Sequence, residues 1–245
     1  MKSISVSTVL DNIIDGDSRL DATYYASAVF QARQIIDDYE SRGHKINTIG
    51  DFSKGTYNPP PIKRTFTDDK TIGTPYMLPQ EMFDFYWVPR KYILADKMPK
   101  IKDWFLKEDW VILTQSGSVG KPFFATKGDE NVVLSQNAIR IPPADPKTGG
   151  YIYAYLSTWI GQTLLKKDEF GITVKHIRPN QVDQIPIPDI DYNKQLEISE
   201  KVKKAFELRK QAISLLTEAQ EMIYDELGAP SENIFDEDPD ADMTI

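Results

Sequence analysis

The side chains able to do chemistry are spread over polar loops and do not form a titratable cluster. His44 and His176 are the only histidines, they stand in unrelated contexts, and Cys is absent. Neither a His-based metal cluster nor a nucleophile, base and orienter set assembles from them. Lys54, Tyr57, Asn58, Lys63 and Arg64 lie in and beside GTYNPPPIKR. Basic groups next to an aromatic ring and an amide suit a phosphate contact combined with the reading of a base edge, and a solvated surface loop has the same composition. Gln115, Ser116, Ser118 and Lys121 lie in QSGSVGK, where Gly117 and Gly120 allow a tight turn with outward backbone N–H groups and an anion contact near Lys121. This is not a Walker loop, because Gln115 stands where that motif needs Gly and Pro122 follows Lys121. Gln136 and Asn137 in VLSQNAIRIPP, and Thr173, Lys175 and Arg178 in GITVKHIRPN, complete the candidates.

The elements that must position these loops are read from hydrophobic periodicity. Residues 21–41 begin DATYY and continue with Val29, Ala32, Ile35, Ile36 and Tyr39 at helical spacing, ending near Gly43; Tyr24 and Tyr25 are expected in the core. From Ile46 to Tyr76 the pattern breaks into short apolar pieces around GTYNPPPIKR, which is too rich in Pro and Gly for a helix and is expected to be an exposed loop. Strands are expected at Tyr76–Leu78, Tyr92–Ala95, Trp110–Thr114, Phe123–Ala125, Val132–Leu134 and Ala138–Ile141, then a helical stretch over 151–166, then Ile172–Val174 and Ile185–Ile187. Helices bracketing a run of short strands make an α+β class.

The last third is dominated by one amphipathic stretch. Val202, Phe206, Arg209, Ile213, Leu216, Gln220, Ile223 and Leu227 follow one another at steps of three and four, predicting a helix over 193–227. Asp191 or Asn193 can cap its start, and Gly228 with Pro230 supplies the stop. At about 1.5 Å per residue such a helix is a rod of roughly 50 Å, longer than most helices of a compact domain. It needs a partner along its length, or lies on its own domain. Arg209 and Gln220 interrupt the seam, and polar seam residues fix register and partner choice more than they stabilise.

Composition bounds the rest. The 245 residues are 40% apolar with 11% aromatic, enough for a sizeable core in one or two domains. No basic-apolar leader and no apolar run near membrane length occur in the sequence, and with no Cys the expectation is a soluble cytoplasmic protein without a membrane partner. The formal net charge is −8. The acidity is concentrated after Gly228, in a tail read as a disordered extension, whereas residues 45–127 carry more Lys and Arg than Asp and Glu. The expected division is 1–190 as a globular domain, 191–228 as the long helix and 229–245 as the acidic tail.

Four stretches in order, RLDATYY (19–25), DWVILTQSGSVGK (109–121), VLSQNAIRIPP (133–143) and GITVKHIRPNQVDQIPIPDIDYNKQLEI (171–198), lead into that helix. Together they resemble the target-recognition domain of the specificity (S) subunits of type I restriction-modification systems. The IPIP step followed by Gln195 and Ile198 matches that family's Ile-Pro-Leu-Pro, Gln and Ile sequence before its conserved helix; Asp189 stands where a further Pro is common. The resemblance implies a globular target-recognition domain with one long coiled-coil-type helix behind it. It also implies a double-stranded-DNA-reading subunit without chemistry or cofactor of its own, which directs an adenine methyltransferase subunit and in some systems a restriction subunit. A full S subunit has two recognition domains and two such helices packed antiparallel. One of each predicts a homodimer, or pairing with a second specificity element. The homodimer would read an interrupted palindrome with half-sites about 10 to 11 base pairs apart.

Two other classes stay open. A coiled-coil adaptor with an incidental globular head would show no salt-sensitive duplex binding. Asn58-Pro59-Pro60 begins like the motif with which adenine methyltransferases hold the target amino group. Pro61 replaces its aromatic residue, and no Gly-rich strand-to-helix turn precedes it to bind S-adenosylmethionine.

Overall fold

The computed structural model describes residues 27–85, 87–98, 100–116, 118–166 and 176–230. Helix α1 (Ser27–Ser41) buries Val29, Ala32 and Ile36, and the chain leaves it through Gly43 at φ +85°. The helical expectation before residue 27, Tyr24 and Tyr25, the Ile172–Val174 strand and the tail beyond 230 lie outside the described residues.

Three small sheets follow. Strands β2 (Phe66–Thr67), β3 (Thr74–Met77), β4 (Lys91–Ile93) and β7 (Val133–Leu134) form one sheet in the order β2-β4-β3-β7, antiparallel except for the parallel β3–β7 pair. Strands β5 (Val111–Thr114), β6 (Pro122–Phe124) and β8 (Ala138–Ile141) form an antiparallel sheet in the order β6-β5-β8. Every residue of β5 and β8 is buried, which is why β5 reads as an apolar run instead of an alternating one, while β8 carries a buried Arg140 among its apolar residues. The chain passes between these two sheets more than once, most tightly through the turn between Leu134 and Ala138 that joins β7 to β8. Trp104, fully buried, packs with Tyr76, Ile93, Met98, Ile101 and Val133 into one core cluster.

The Pro-rich loop departs from its expected exposure. Ser53 and Tyr57 bridge antiparallel to Pro143 and Arg140, so the segment runs along the free edge of β8. The Thr56 hydroxyl donates to the Pro179 carbonyl at 2.8 Å and the Trp104 indole N–H donates to the Pro60 carbonyl at 3.2 Å. Thr56, Tyr57 and Asn58 are half-buried and Pro59 is buried, while Lys54 and residues 60, 61, 63 and 64 stay exposed. Proline content ruled out a helix here, but burial was decided by distant partners. The stretch over 151–166 forms two helices, α2 (Gly149–Ser157) and α3 (Trp159–Lys166), because Thr158 turns extended at ψ 159°.

Strand β1 (Ile46–Thr48) pairs antiparallel with β9 (Pro186–Pro188), just after the short helix α4 (Pro179–Asp183). Pro186 and Pro188 have no N–H to donate, and their carbonyls accept instead from the hydroxyls of Tyr155 (2.6 Å) and Tyr151 (2.5 Å) of α2. Burial, and for Tyr151 also the neighbouring Tyr155, holds both phenols well above the ordinary tyrosine range.

Helix α5 (Tyr192–Leu227) starts as expected: Asp191 Oδ1 accepts from the backbone N–H groups of Asn193 and Lys194. Asp189 serves its root. One carboxylate oxygen accepts from Asn47 and pairs with Lys45, and the other accepts from the buried Gln195 amide. The chain divides into two compact units, 1–204 and 205–245, with the first turns of α5 in the former. There, buried Ser199 accepts the backbone N–H of Tyr151 at 2.9 Å, and Lys203 pairs with the largely buried Asp109 at 2.7 Å. Burial works against the charge of Lys203, but the hydrogen bond to Asp109 and the attraction of Asp109, Glu108 and Glu200 together raise its pKa above the ordinary lysine value. In the second unit the helix ends in a Schellman arrangement. Gly228 at φ +61° donates to the Asp225 carbonyl and Ala229 to that of Tyr224.

The α2–α5 contact depends on a missing side chain. A Cβ on Gly150 would lie 2.6 Å from Ser199 Cα and 2.8 Å from its carbonyl oxygen, both backbone atoms. Gly150→Ala is expected to cost about 2 kcal/mol through overpacking, lowering the Tm of the full chain by roughly 4–8 °C in a thermal melt. An unchanged Tm would mean that α2 and α5 do not meet there.

Candidate nucleic-acid interface

The loop joining β5 to β6 is tied from below by Thr114. Its buried hydroxyl donates to the Ser118 carbonyl and accepts the Lys121 N–H at 3.0 Å, while Gly120, at φ +73°, donates to the Thr114 carbonyl. The Gln162 side chain of α3 donates to the Gly120 carbonyl at 2.8 Å. Ser118 and Lys121 are thereby held at the surface of a short loop. The Lys121 ammonium lies over the Phe83 ring, 3.8 Å from its centre. Ser116 bridges antiparallel to His176, and Ile177 donates to the Gln115 carbonyl, so the chain around 176 lies against this loop.

Asn58 connects the loops. Its side-chain amide donates to Gln115 Oε1 at 3.2 Å, to the Gln136 carbonyl at 3.1 Å and to the Ala138 carbonyl at 2.8 Å. The turn Leu134–Ala138 is gripped from the other side by Arg140, which is fully buried on β8. One guanidinium nitrogen donates to the carbonyls of Ser135 (3.0 Å) and Ala138 (2.7 Å), the other to those of Leu134 (2.6 Å) and Trp104 (3.5 Å). Arg140 has no carboxylate among these partners. Burial pushes its pKa down to about 10, still well above neutral pH, so the group is a permanent buried cation. Tyr57, whose ring meets Trp110 edge-on with centres 6.2 Å apart, is half-buried, and burial raises its phenol pKa.

A cleft of about 570 Å³ opens between the ends of the two larger sheets. Four sequence candidates from two loops line it, Ser116, Ser118, Lys121 and Asn137, together with Thr114 and the segment Leu78, Pro79, Gln80 and Phe83. Gln115, Gln136 and Asn58 sit behind it in the bonded network. Lys63 and Arg64 are exposed, Arg64 donating to the Tyr76 hydroxyl at 3.0 Å. Lys54 is exposed towards the other end of β8, its backbone N–H on the Pro142 carbonyl, and Arg178 lies at the start of α4. These last four do not line the cleft. Thr173 and Lys175 lie outside the described residues. Sequence reasoning missed Gln80, Phe83, Thr114 and Arg140. The aromatic run Phe83, Phe85, Tyr86, Trp87 followed by Arg90 and Lys91 was the available signal for the first two.

On the long helix, Val202, Phe206, Arg209 and Ile213 are half-buried, and Leu216, Gln220, Ile223 and Leu227 are exposed. Leu216 is 51%, Ile223 60% and Leu227 72% exposed, a stripe of large apolar side chains in water. No described helix is long and apolar enough to cross a membrane.

Residues 43–218 match the family model described as the type I restriction modification DNA specificity domain. No curated protein matches the sequence. Among solved structures, the chain is similar to the type I restriction-modification S subunit from M. genitalium (18% identity, TM-score 0.48, covering 74% of this chain and 44% of that one). It is also similar to the HsdS subunit from Thermoanaerobacter tengcongensis (15% identity, TM-score 0.42, 80% and 47%). A third match is a chain from a type I R-M system whose complex assembly and conformational transition were described (16% identity, TM-score 0.45, 83% and 50%). The chain spans about half the length of these structures or less.

Proposed function

The chain belongs to the type I restriction modification DNA specificity domain family, and from that premise we propose that it is the sequence-reading subunit of a cytoplasmic restriction-modification complex. It meets double-stranded DNA with the face around the cleft and brings a partner adenine methyltransferase, with or without a restriction subunit, to the chosen site. The observation that carries this reading is the gathering of Ser116, Ser118, Lys121 and Asn137, from two separate loops, around one opening. Hydroxyl and amide groups there match base edges, a lysine matches phosphate, and no titratable pair suited to catalysis is needed. The reacting chemistry then belongs to the partner. Lys63 and Arg64, exposed on the loop that Asn58 anchors, supply phosphate contacts beside the reading face.

The exposed stripe of α5 is the assembly surface. Leu216, Ile223 and Leu227 are covered by a second helix of the same kind, on another copy of this chain or on a different specificity element, and by the methyltransferase subunit. Two identical halves read a two-fold symmetric target, and two different halves an asymmetric one.

Lys63→Ala together with Arg64→Ala is expected to weaken binding of the full chain to every duplex about equally. It should also reduce the slope of log K against log salt by roughly 1.8, as two released phosphate contacts require. Fluorescence anisotropy on labelled duplexes across a salt series measures both. Binding that is unchanged removes this loop from the interface, and wild-type binding that ignores salt favours the adaptor reading. Leu216→Asp with Ile223→Asp places charge in an apolar seam and is expected to abolish assembly in sedimentation and co-purification with the methyltransferase subunit, leaving the melt of the globular part intact. A double variant that still assembles while the globular part unfolds would mean that the stripe packs on its own domain.

A further inference from the structure

A guanidinium with no exposed surface is an expensive occupant of a sheet interior, and an apolar side chain at position 140 would avoid that cost. What Arg140 supplies instead is a fixed pattern of donors. Three of its four acceptors, the carbonyls of Leu134, Ser135 and Ala138, belong to the short turn by which the chain passes from β7 to β8. From the opposite side the Asn58 amide takes the Gln136 carbonyl and a second share of Ala138. Carbonyls of four of the five residues from Leu134 to Ala138 therefore accept from side chains. The same Asn58 amide reaches Gln115 Oε1, which keys the β5–β6 loop to this turn. Asn137, at the crest of the turn, lines the cleft and is exposed.

We propose that Arg140 and Asn58 are positioning residues for sequence recognition: they set the shape of the Leu134–Ala138 turn, and with it the direction in which Asn137 and the Gln115–Lys121 loop meet the bases. This rests on the DNA-reading function proposed above. A planar guanidinium is required, since its fork of donors serves several carbonyls at once, whereas a lysine ammonium keeps the charge but offers a single centre. Removing either clamp leaves the loops present and the basic surface unaltered, so phosphate contacts persist while base contacts lose register.

The experiment exposes the full chain to a pool of duplexes with a randomised central stretch and sequences the bound fraction, for wild type, Arg140→Lys and Asn58→Ala. Binding to a random-sequence duplex is followed in parallel over a salt series, and circular dichroism reports folding. Wild type is expected to enrich a defined motif. In the variants, enrichment of that motif over its single-base neighbours is expected to fall roughly tenfold, about the discrimination of one well-formed base contact, with the salt slope unchanged. A variant that keeps the motif sharp, or that loses affinity for all duplexes alike, overturns the positioning role, because a purely structural clamp would act that way. If Arg140→Lys does not fold, Asn58→Ala, which alters the turn from outside the core, decides alone. A wild-type chain that enriches no motif would refute the DNA-reading function itself, an outcome distinct from either variant result.

Discussion

A chain that leaves one sheet and enters another must pass through residues whose carbonyls have no strand to bond, and buried carbonyls need donors. In this protein the shortest such crossing lies between β7 and β8, and the donors are Arg140 from within and Asn58 from the loop along the β8 edge. The Pro-rich segment depends on the same place. It adds to the β8 edge through Tyr57 and Arg140 backbone pairing, is pinned at Pro60 by Trp104, and so is held where its amide can reach the turn. Fold stability and the arrangement of the polar loops thus share one hydrogen-bond network.

The root of α5 is fixed by a second, independent set of contacts. Gly150 permits the backbone of α2 to approach Ser199, Lys203 neutralises Asp109, and Asp189 ties β1 to the buried Gln195. Asp189 is also where the sequence departs from the common Pro of its family's approach to the helix. The carboxylate makes three side-chain contacts that a proline ring would lack, and the Asp189 N–H bonds the Lys45 carbonyl. The departure is therefore compensated locally, and the helix starts where the sequence indicated.

What was legible in the sequence was what local chemistry decides. Asp191 as a cap, Gly228 as a stop and the apolar stripe between them define α5 without reference to anything distant. The run that became β5 was equally plain, since a strand buried on both faces leaves a continuous apolar signature. Tertiary effects were not legible. Nothing in AIRI marks its Arg as buried, because its partners are carbonyls contributed by a turn and by Trp104. GTYNPPPIKR looked exposed for its Pro and Gly content, yet Thr56, Tyr57, Asn58 and Ile62 are half-buried and Pro59 is buried, with partners as much as 123 positions away. The Leu78–Phe83 side of the cleft carried no periodicity, only aromatic residues near basic ones. The family resemblance came from the order of four motifs, and the family model matches residues 43–218.

The central claim is that this chain, and not its partner, chooses the DNA sequence. Mapping adenine methylation in cells that carry an adenine methyltransferase subunit of this system, with and without the gene for this chain, tests it most directly. The account predicts methylation confined to one bipartite motif that vanishes when the chain is withheld and returns when it is restored. Methylation of the same motif in cells lacking the chain would contradict it.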